Sequence, residues 1–146
     1  MVTDKDLGWK RIVQNCKGFD GKEVKAGVLE SAGDEENGQS VAQVAYWNEY
    51  GTKRIPSRPF LAIASDEKNG WKSEVDSQVS KVMSNRGNVD SSLDAIGEKM
   101  KKDIRNVIGD KGKLAPNAPS TIARKGHDKP LIDTGTLKAS IDYEVK

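Results

Sequence analysis

The chain has 146 residues, a net charge of +2 and a single cysteine, Cys16. This length suits one domain, spanning 1–146, that can bury roughly 70% of its unfolded surface. The 24 basic and 22 acidic residues are interleaved, so the totals show no nucleic-acid footprint. One cysteine excludes an internal disulfide, and no apolar run reaches the ~18 residues that a membrane helix needs. Because neither such a run nor a signal-peptide pattern is present, we expect a protein that folds in a cytoplasm. Only 30 residues are Ile, Leu, Val or Phe, so we also expect a thin core that gains burial from partners.

The beginning of the chain predicts an amphipathic helix over residues 4–17. Thr3 and Asp6 form a capping-box-like start, and Gly18 is a natural end. Cys16 lies on the apolar stripe of this helix, together with Trp9, Ile12 and Val13. The pattern therefore predicts a buried, inert thiol at Cys16.

In the next segment, the spacing of the apolar residues changes from a helical period to an alternating one. Alternating Val and Ala with charged residues predicts a half-buried strand over 22–31. Ser40 and Gln43 form another capping box, and Gly51 closes the predicted short helix Val41–Tyr50. Prolines then predict extended backbone over 55–60, because each proline restricts its predecessor and removes a donor.

The middle of the chain predicts an antiparallel pair of helices. One helix carries Trp71, Val75, Val79 and Val82, and a turn follows at 85–88. The second apolar stripe runs over 93–108 and stops at Gly109. The Asn69-Gly70 dipeptide is expected to break or shorten the first of these helices at its start.

The last third predicts an extended arm over 112–131, with prolines and one helical turn, Pro119–Lys125, closed by Gly126. Asp133 or Thr134 is expected to cap another short turn, and Ile141, Tyr143 and Val145 alternate as a terminal strand. We therefore predict an α+β fold with a small mixed or antiparallel sheet packed against a helical hairpin. The arm has no periodic apolar face, so we expect it to reach across to a neighbouring subunit.

One triplet, Asp133-Thr134-Gly135, resembles the catalytic triplet of aspartic proteases, in which two carboxyl groups share a proton. Only 11 residues follow Gly135, too few for the second half of a protease lobe, and three-residue motifs recur by chance. We expect no catalytic residues, no cofactor and no metal site. The alternative for Asp133 is the capping role given above.

Small basic clusters occur at Lys53-Arg54 with Arg58, and at Arg124-Lys125 with Lys129. Such clusters suit either DNA phosphates or the carboxylates of a neighbouring subunit. No aromatic residues are interleaved with them, as stacking on single-stranded nucleic acid would require. The composition therefore favours protein contacts. A guanidinium on stiff backbone, as at Arg58, suits such a contact because little ordering entropy is lost on docking.

Two segments resemble a known family. The residues of the first are Asn48-Glu49-Tyr50-Gly51-Thr52, running into Ile55-Pro56-Ser57-Arg58-Pro59-Phe60-Leu61. Those of the second are Ala118-Pro119-Ser120-Thr121-Ile122-Ala123-Arg124-Lys125-Gly126, then Lys129-Pro130-Leu131-Ile132-Asp133-Thr134-Gly135-Thr136-Leu137, with Ser140-Ile141. Together they span 38 of the 146 residues, about a quarter of the chain. They are similar to the signature of neck, tail-completion and virion-morphogenesis proteins of lambda-like and Mu-like phages and prophages.

The resemblance implies a structural virion protein that forms a homo-oligomeric ring, usually of six copies, at the head–tail joint. Such a ring contacts the connector beneath the portal and the terminator or tube of the tail, and double-stranded DNA passes through its lumen without sequence recognition. It implies no enzymatic activity and no membrane partner. The alternatives are a tail terminator ring and, in a different class, a small DNA-binding protein. We expect the subunit or partner interface at Arg54, Arg58, Phe60, Ile122, Arg124, Lys125 and Leu131.

Overall fold

The computed structural model describes residues 8–146, so the expected Thr3 and Asp6 cap lies outside the described residues. In this part the helices are α1 (Trp9–Lys17), α2 (Val41–Tyr50), α3 (Phe60–Ala64), α4 (Trp71–Met83), α5 (Val89–Val107), α6 (Pro119–Lys125) and α7 (Thr136–Ser140), and the strands are β1 (Val24–Val28) and β2 (Ile141–Val145). Short 3-10 turns occupy Glu30–Ala32 and Glu67–Asn69. The predicted α+β class is confirmed. No helix within residues 8–146 is long and apolar enough to cross a bilayer.

The two strands form one antiparallel sheet, which confirms the expected pairing of distant segments. Val24 faces Val145 and Val28 faces Ile141 across the ladder. β1 is shorter than the predicted strand over 22–31, because the chain turns into a 3-10 helix directly after Leu29. The sheet therefore ties the beginning of the described chain to its end.

The central helix is α5, which packs against both strands and against α3 and α4. Gly97 permits the close approach of β2. A Cβ atom at this position would lie only 2.1 Å from Cδ2 of the Tyr143 ring. The absent side chain is thus what lets the tyrosine ring lie flat on the helix.

The predicted helical hairpin is formed by α4 and α5. Nε1 of Trp71, at the start of α4, donates to the Asp103 carboxylate near the end of α5 at 2.8 Å, so the helices are antiparallel. The Asn69-Gly70 pair separates α3 from α4. Nδ2 of Asn69 donates to the last carbonyls of α3, and Gly70 has a left-handed φ of 73° immediately before α4.

The core is assembled from distant parts of the chain. Val41, Phe60, Ile104 and Ile141 come from α2, α3, α5 and β2, and Ile108 directly follows α5; none of the five is more than 2% exposed. Long-range burial of this kind is what holds such short helices in place, because helices this short are marginal alone.

The first helix lies outside this core. α1 contains no buried residue, and its contact with α4 includes Nδ2 of Asn15 donating to the Val82 carbonyl at 2.9 Å. Cys16 is exposed, with its Sγ 3.1 Å from Sδ of Met83. The prediction of a buried Cys16 is therefore wrong.

The segment 112–131 docks on its own chain at both ends. Leu114 is 4% exposed within the core and Pro130 is fully buried, while Leu131 packs against the core. The prediction that this segment reaches across to a neighbour is wrong for these two ends. Between them, the short helix α6 contains no buried residue.

Two predicted helix caps are also absent. Ser40 makes no side-chain hydrogen bond to α2. The residue preceding α7 is Gly135, with φ 88°, and the Asp133 carboxylate is paired elsewhere. Only the Thr134 hydroxyl, which accepts from the Thr136 amide at 3.3 Å, approaches the expected role.

Candidate functional site

The first motif segment is built around the buried side chain of Glu49. Its two carboxylate oxygens accept from the backbone amides of Leu61 and Ala62 at 2.9 and 3.0 Å. These are early amides of α3, which have no partner within the helix. Pro59 precedes the helix and supplies no side-chain cap. Glu49, from α2, therefore caps α3 across the fold.

The turn after Glu49 depends on Gly51. This glycine has a φ of 77°, and a Cβ atom there would lie 2.9 Å from the backbone nitrogen of Ser57. The Ser57 hydroxyl donates to the Glu49 carbonyl at 2.7 Å, and the Thr52 hydroxyl accepts from the Ile55 amide at 3.0 Å. The motif thus encodes a tight, hydrogen-bonded turn between α2 and α3.

Arg58 joins the two motif-bearing parts of the chain. Its Nε donates to the Ala115 carbonyl and its Nη2 to the Pro116 carbonyl, both at 2.8 Å. The residue is 8% exposed, and burial lowers the pKa of the guanidinium. The guanidinium that we expected to pair with a carboxylate instead holds the segment after Leu114 against the α2–α3 turn.

Helix α6 adds two further cations close to Arg58. Nη2 of Arg124 contacts the Asp133 carboxylate at 2.8 Å, and Nζ of Lys125 donates to the Lys129 carbonyl at 3.0 Å. Burial is the main cause that lowers the pKa of Lys125; Asp133 opposes the shift, while Arg124 and Arg58 add to it. The side chains of Arg58, Arg124 and Lys125 therefore lie close together.

A groove of about 560 Å³ runs past these cations; we call it the Arg58 groove. Its lining includes a basic wall on α6 and an acidic wall on the loop that carries Glu35 and Glu36. Half-buried residues of α2, the turn at Leu131 and the beginning of α7 complete the lining: Val44, Asn48, Leu131, Leu137. An isolated β-bridge between Asp34 and Ser40 shapes the acidic loop.

Asn117 leaves a donor unused in this groove. Its Nδ2 is inaccessible to solvent and has no hydrogen-bond partner within the described part of the chain. Burying an unpaired amide costs about 1–3 kcal/mol.

The structure brings some of the predicted interface residues together and separates others. Arg58, Arg124, Lys125 and Leu131 line the groove. Phe60 is fully buried in the core, which corrects its assignment as an interface residue. Arg54 is exposed on the α2–α3 turn, and Ile122 is half-buried on α6. Sequence reasoning missed Asn117 and the acidic wall, although the acidic run 34–36 was a visible signal.

Leu131 has an unusual backbone conformation. Its φ of 60° is left-handed, which costs a residue other than glycine about 1–2 kcal/mol. Leu131 nevertheless packs against the core while it lines the groove. The buried Pro130 and the side chain of Leu131 hold this strained turn in place.

The protease-like triplet does not form a carboxyl pair that shares a proton. The nearest charged partner of Asp133 is Arg124, whose hydrogen bond is the main cause lowering the pKa of Asp133. A shared proton requires the opposite direction in one of the two carboxyl groups. Across residues 8–146, no group of three or more His, Cys, Asp or Glu side chains is placed to hold a metal ion.

The basic stretch of α5 is largely occupied by partners from the same chain. Lys99 pairs with Asp103 at 3.0 Å, and Lys101 pairs with Asp142 at 2.9 Å. Nη2 of Arg105 donates to the Ile141 carbonyl at 2.7 Å. Lys101 and Arg105 thus bind groups of β2, whereas Lys99 pairs within α5.

Comparison with family models finds no match, and comparisons with curated proteins and with solved structures also find none.

Proposed function

We propose that this chain is a structural subunit that works by assembling into a ring, rather than by catalysis. Its polar motif residues support this class, because Glu49, Ser57 and Arg58 bond to backbone groups and fix the chain path. None of the three presents a nucleophile or base to a substrate. A chain with a thin core suits a protein that completes its burial against other subunits.

Within that class, we infer a neck or tail-completion protein at the head–tail joint of a tailed phage virion. The single observation that carries the inference is the contact of Arg58 with Ala115 and Pro116, residues 57 and 58 positions later. It fastens the first resembling segment to the backbone that leads into the second. Both segments then line one groove, so the two resemblances belong to one folded unit.

The partners of such a subunit are other copies of itself, the head connector and the tail terminator or tube. Double-stranded DNA crosses the lumen of the ring. Deleting the protein should leave DNA-filled heads and finished tails unjoined, which electron micrographs of a lysate can count. A plasmid copy should restore joining, and empty heads or missing tails in the deletion would contradict this role.

Two measurements separate the alternatives. Labelling the protein in intact virions distinguishes a position next to the connector from one on the tail-tube side, where a terminator would lie. Filter binding with linear DNA tests the DNA-binding alternative. A protein contacting six or more phosphates would lose about a thousandfold in affinity between 50 and 200 mM salt. We expect no such salt dependence, because Lys99 and Lys101 of α5 are already paired with carboxylates of the same chain.

A further inference from the structure

Two stacked tyrosines form an exposed aromatic surface on α2. Tyr46 and Tyr50 are 62% and 69% exposed, and their ring centroids lie 4.8 Å apart. The turn that follows adds Lys53 and Arg54, both exposed. We call these four residues the tyrosine ledge. The fold of the subunit makes little use of them, whereas tyrosine and arginine are the residues most enriched in protein interfaces.

The ledge and the Arg58 groove lie on opposite sides of α2. Val44 and Asn48 of this helix line the groove. At 100° per residue, the two tyrosines point roughly 200° away from them. A surface on one side of the subunit and a receptor on the other are what a head-to-tail contact requires.

The chemistry of the two surfaces is complementary. Tyrosine rings that enter the groove would meet Arg124 and Lys125, and cations lying over aromatic faces attract them. Lys53 and Arg54 of the ledge would face the acidic wall that carries Glu35 and Glu36.

We propose that the tyrosine ledge of one copy docks in the Arg58 groove of a second copy. This proposal rests on the proposed ring and names the contact that builds it. Because the two surfaces differ, each copy uses its ledge on one neighbour and its groove on the other. When the rotation between neighbouring copies is a whole-number fraction of a full turn, repeating this contact produces a closed ring.

The first test is the oligomeric mass of the full chain by light scattering, over a range of concentrations. The double variant Tyr46→Ser, Tyr50→Ser should weaken self-association at least about thirtyfold, since two central interface aromatics are removed. Trp9→Ser is the matched control, because Trp9 is also 69% exposed but lies on α1. It should associate like the unaltered chain, and thermal melting should show all three proteins folded.

The second test exchanges charges across the contact. Arg54→Glu and Glu36→Arg should each weaken association about tenfold when alone. Mixed in equal amounts, they should associate again, because alternating copies restore an opposite pair at every contact. Lys72→Glu, on a side chain that is 89% exposed on α4, is the control for net charge and should have no effect.

The outcomes separate this contact from the ring itself. Rings that persist in the tyrosine variant, or charge variants that fail to rescue each other, would overturn the contact and leave the ring in place. An unaltered chain that stays monomeric at every concentration and salt, and also in the presence of assembled heads, would overturn both.

Discussion

Removal of the Glu49 carboxylate should destabilise the subunit more than any change to an exposed acid. Glu49→Ala leaves the amides of Leu61 and Ala62 without their acceptors, at a place where Glu49 itself is 8% exposed. Each hydrogen bond to the charged carboxylate is worth about 1.5–3 kcal/mol; relief from burying a charge, and hydration of the half-buried Leu61 and the exposed Ala62, offset part of the sum. We therefore expect the free energy of unfolding to fall by about 2–4 kcal/mol.

The assay is chemical and thermal unfolding at concentrations where the subunit is monomeric. A loss of this size corresponds to a fall in Tm of about 5–15 °C for a domain of this length. Glu49→Gln keeps one acceptor oxygen and should lose roughly half as much. Glu30→Ala, at an exposed site, is the matched control and should stay within about 0.5 kcal/mol of the unaltered chain.

Hydrogen exchange locates the effect. The amides of Leu61 and Ala62 should lose protection in Glu49→Ala before the amides of α5 do, because local opening of α3 becomes easier. Stability of Glu49→Ala equal to that of Glu30→Ala would refute the capping role. So would unchanged protection at Leu61 and Ala62.

The remaining predictions concern one close contact and one ion pair. Gly97→Ala should lower the free energy of unfolding, measured by urea denaturation, by about 1–2 kcal/mol. The clash of the new methyl group with Tyr143 costs about 1–3 kcal/mol, which outweighs the gain in helix propensity. In a Tyr143→Ala background the same change should be neutral or stabilising; equal effects in both backgrounds would exclude the clash. The pKa of Asp133 is lowered chiefly by its hydrogen bond from Arg124, so the pair stabilises the fold above the unfolded pKa of about 3.9, and this is lost as pH falls through the lower folded pKa. Arg124→Gln should therefore lower Tm slightly at neutral pH, and its difference from the unaltered chain should shrink as pH falls through the folded pKa of Asp133; a difference that does not shrink would indicate another role for Arg124.

Local patterns were sufficient to predict most elements. The stripe over 93–108 and its stop at Gly109 gave α5, and its buried members include Leu93, Ile104 and Val107. The alternation at two segments predicted both strands. Both kinds of prediction succeed for the same reason: the helical and strand periods can be recognised from the order of neighbouring residues.

The first helix shows what periodicity leaves open. The stripe with Trp9 and Cys16 indicates which residues share a face, and α1 is a helix as expected. The period does not say whether that face meets the core. In the structure α5 already occupies the sheet, α1 contacts α4, and Cys16 stays exposed.

The segment 112–131 was misjudged for a related reason. Its lack of periodic apolar residues correctly indicates an irregular segment. It is nevertheless attached to the rest of the chain, through single residues rather than through a continuous apolar face. Leu114 enters the core, and Arg58 bonds to the carbonyls of Ala115 and Pro116. A backbone carbonyl is present at every residue, so no sequence pattern identifies those partners.

The first motif segment divides into residues that the subunit uses and residues that it does not. Glu49 caps α3, Gly51 adopts the left-handed conformation that the turn requires, and Arg58 donates to distant backbone carbonyls. Tyr50 and Arg54 lie between them in sequence, and both side chains point to solvent. A rigid turn that presents an aromatic ring and a guanidinium loses little entropy when it docks. The first group therefore holds the turn in place, and the second group is exposed on it, as the proposed contact with a second copy requires.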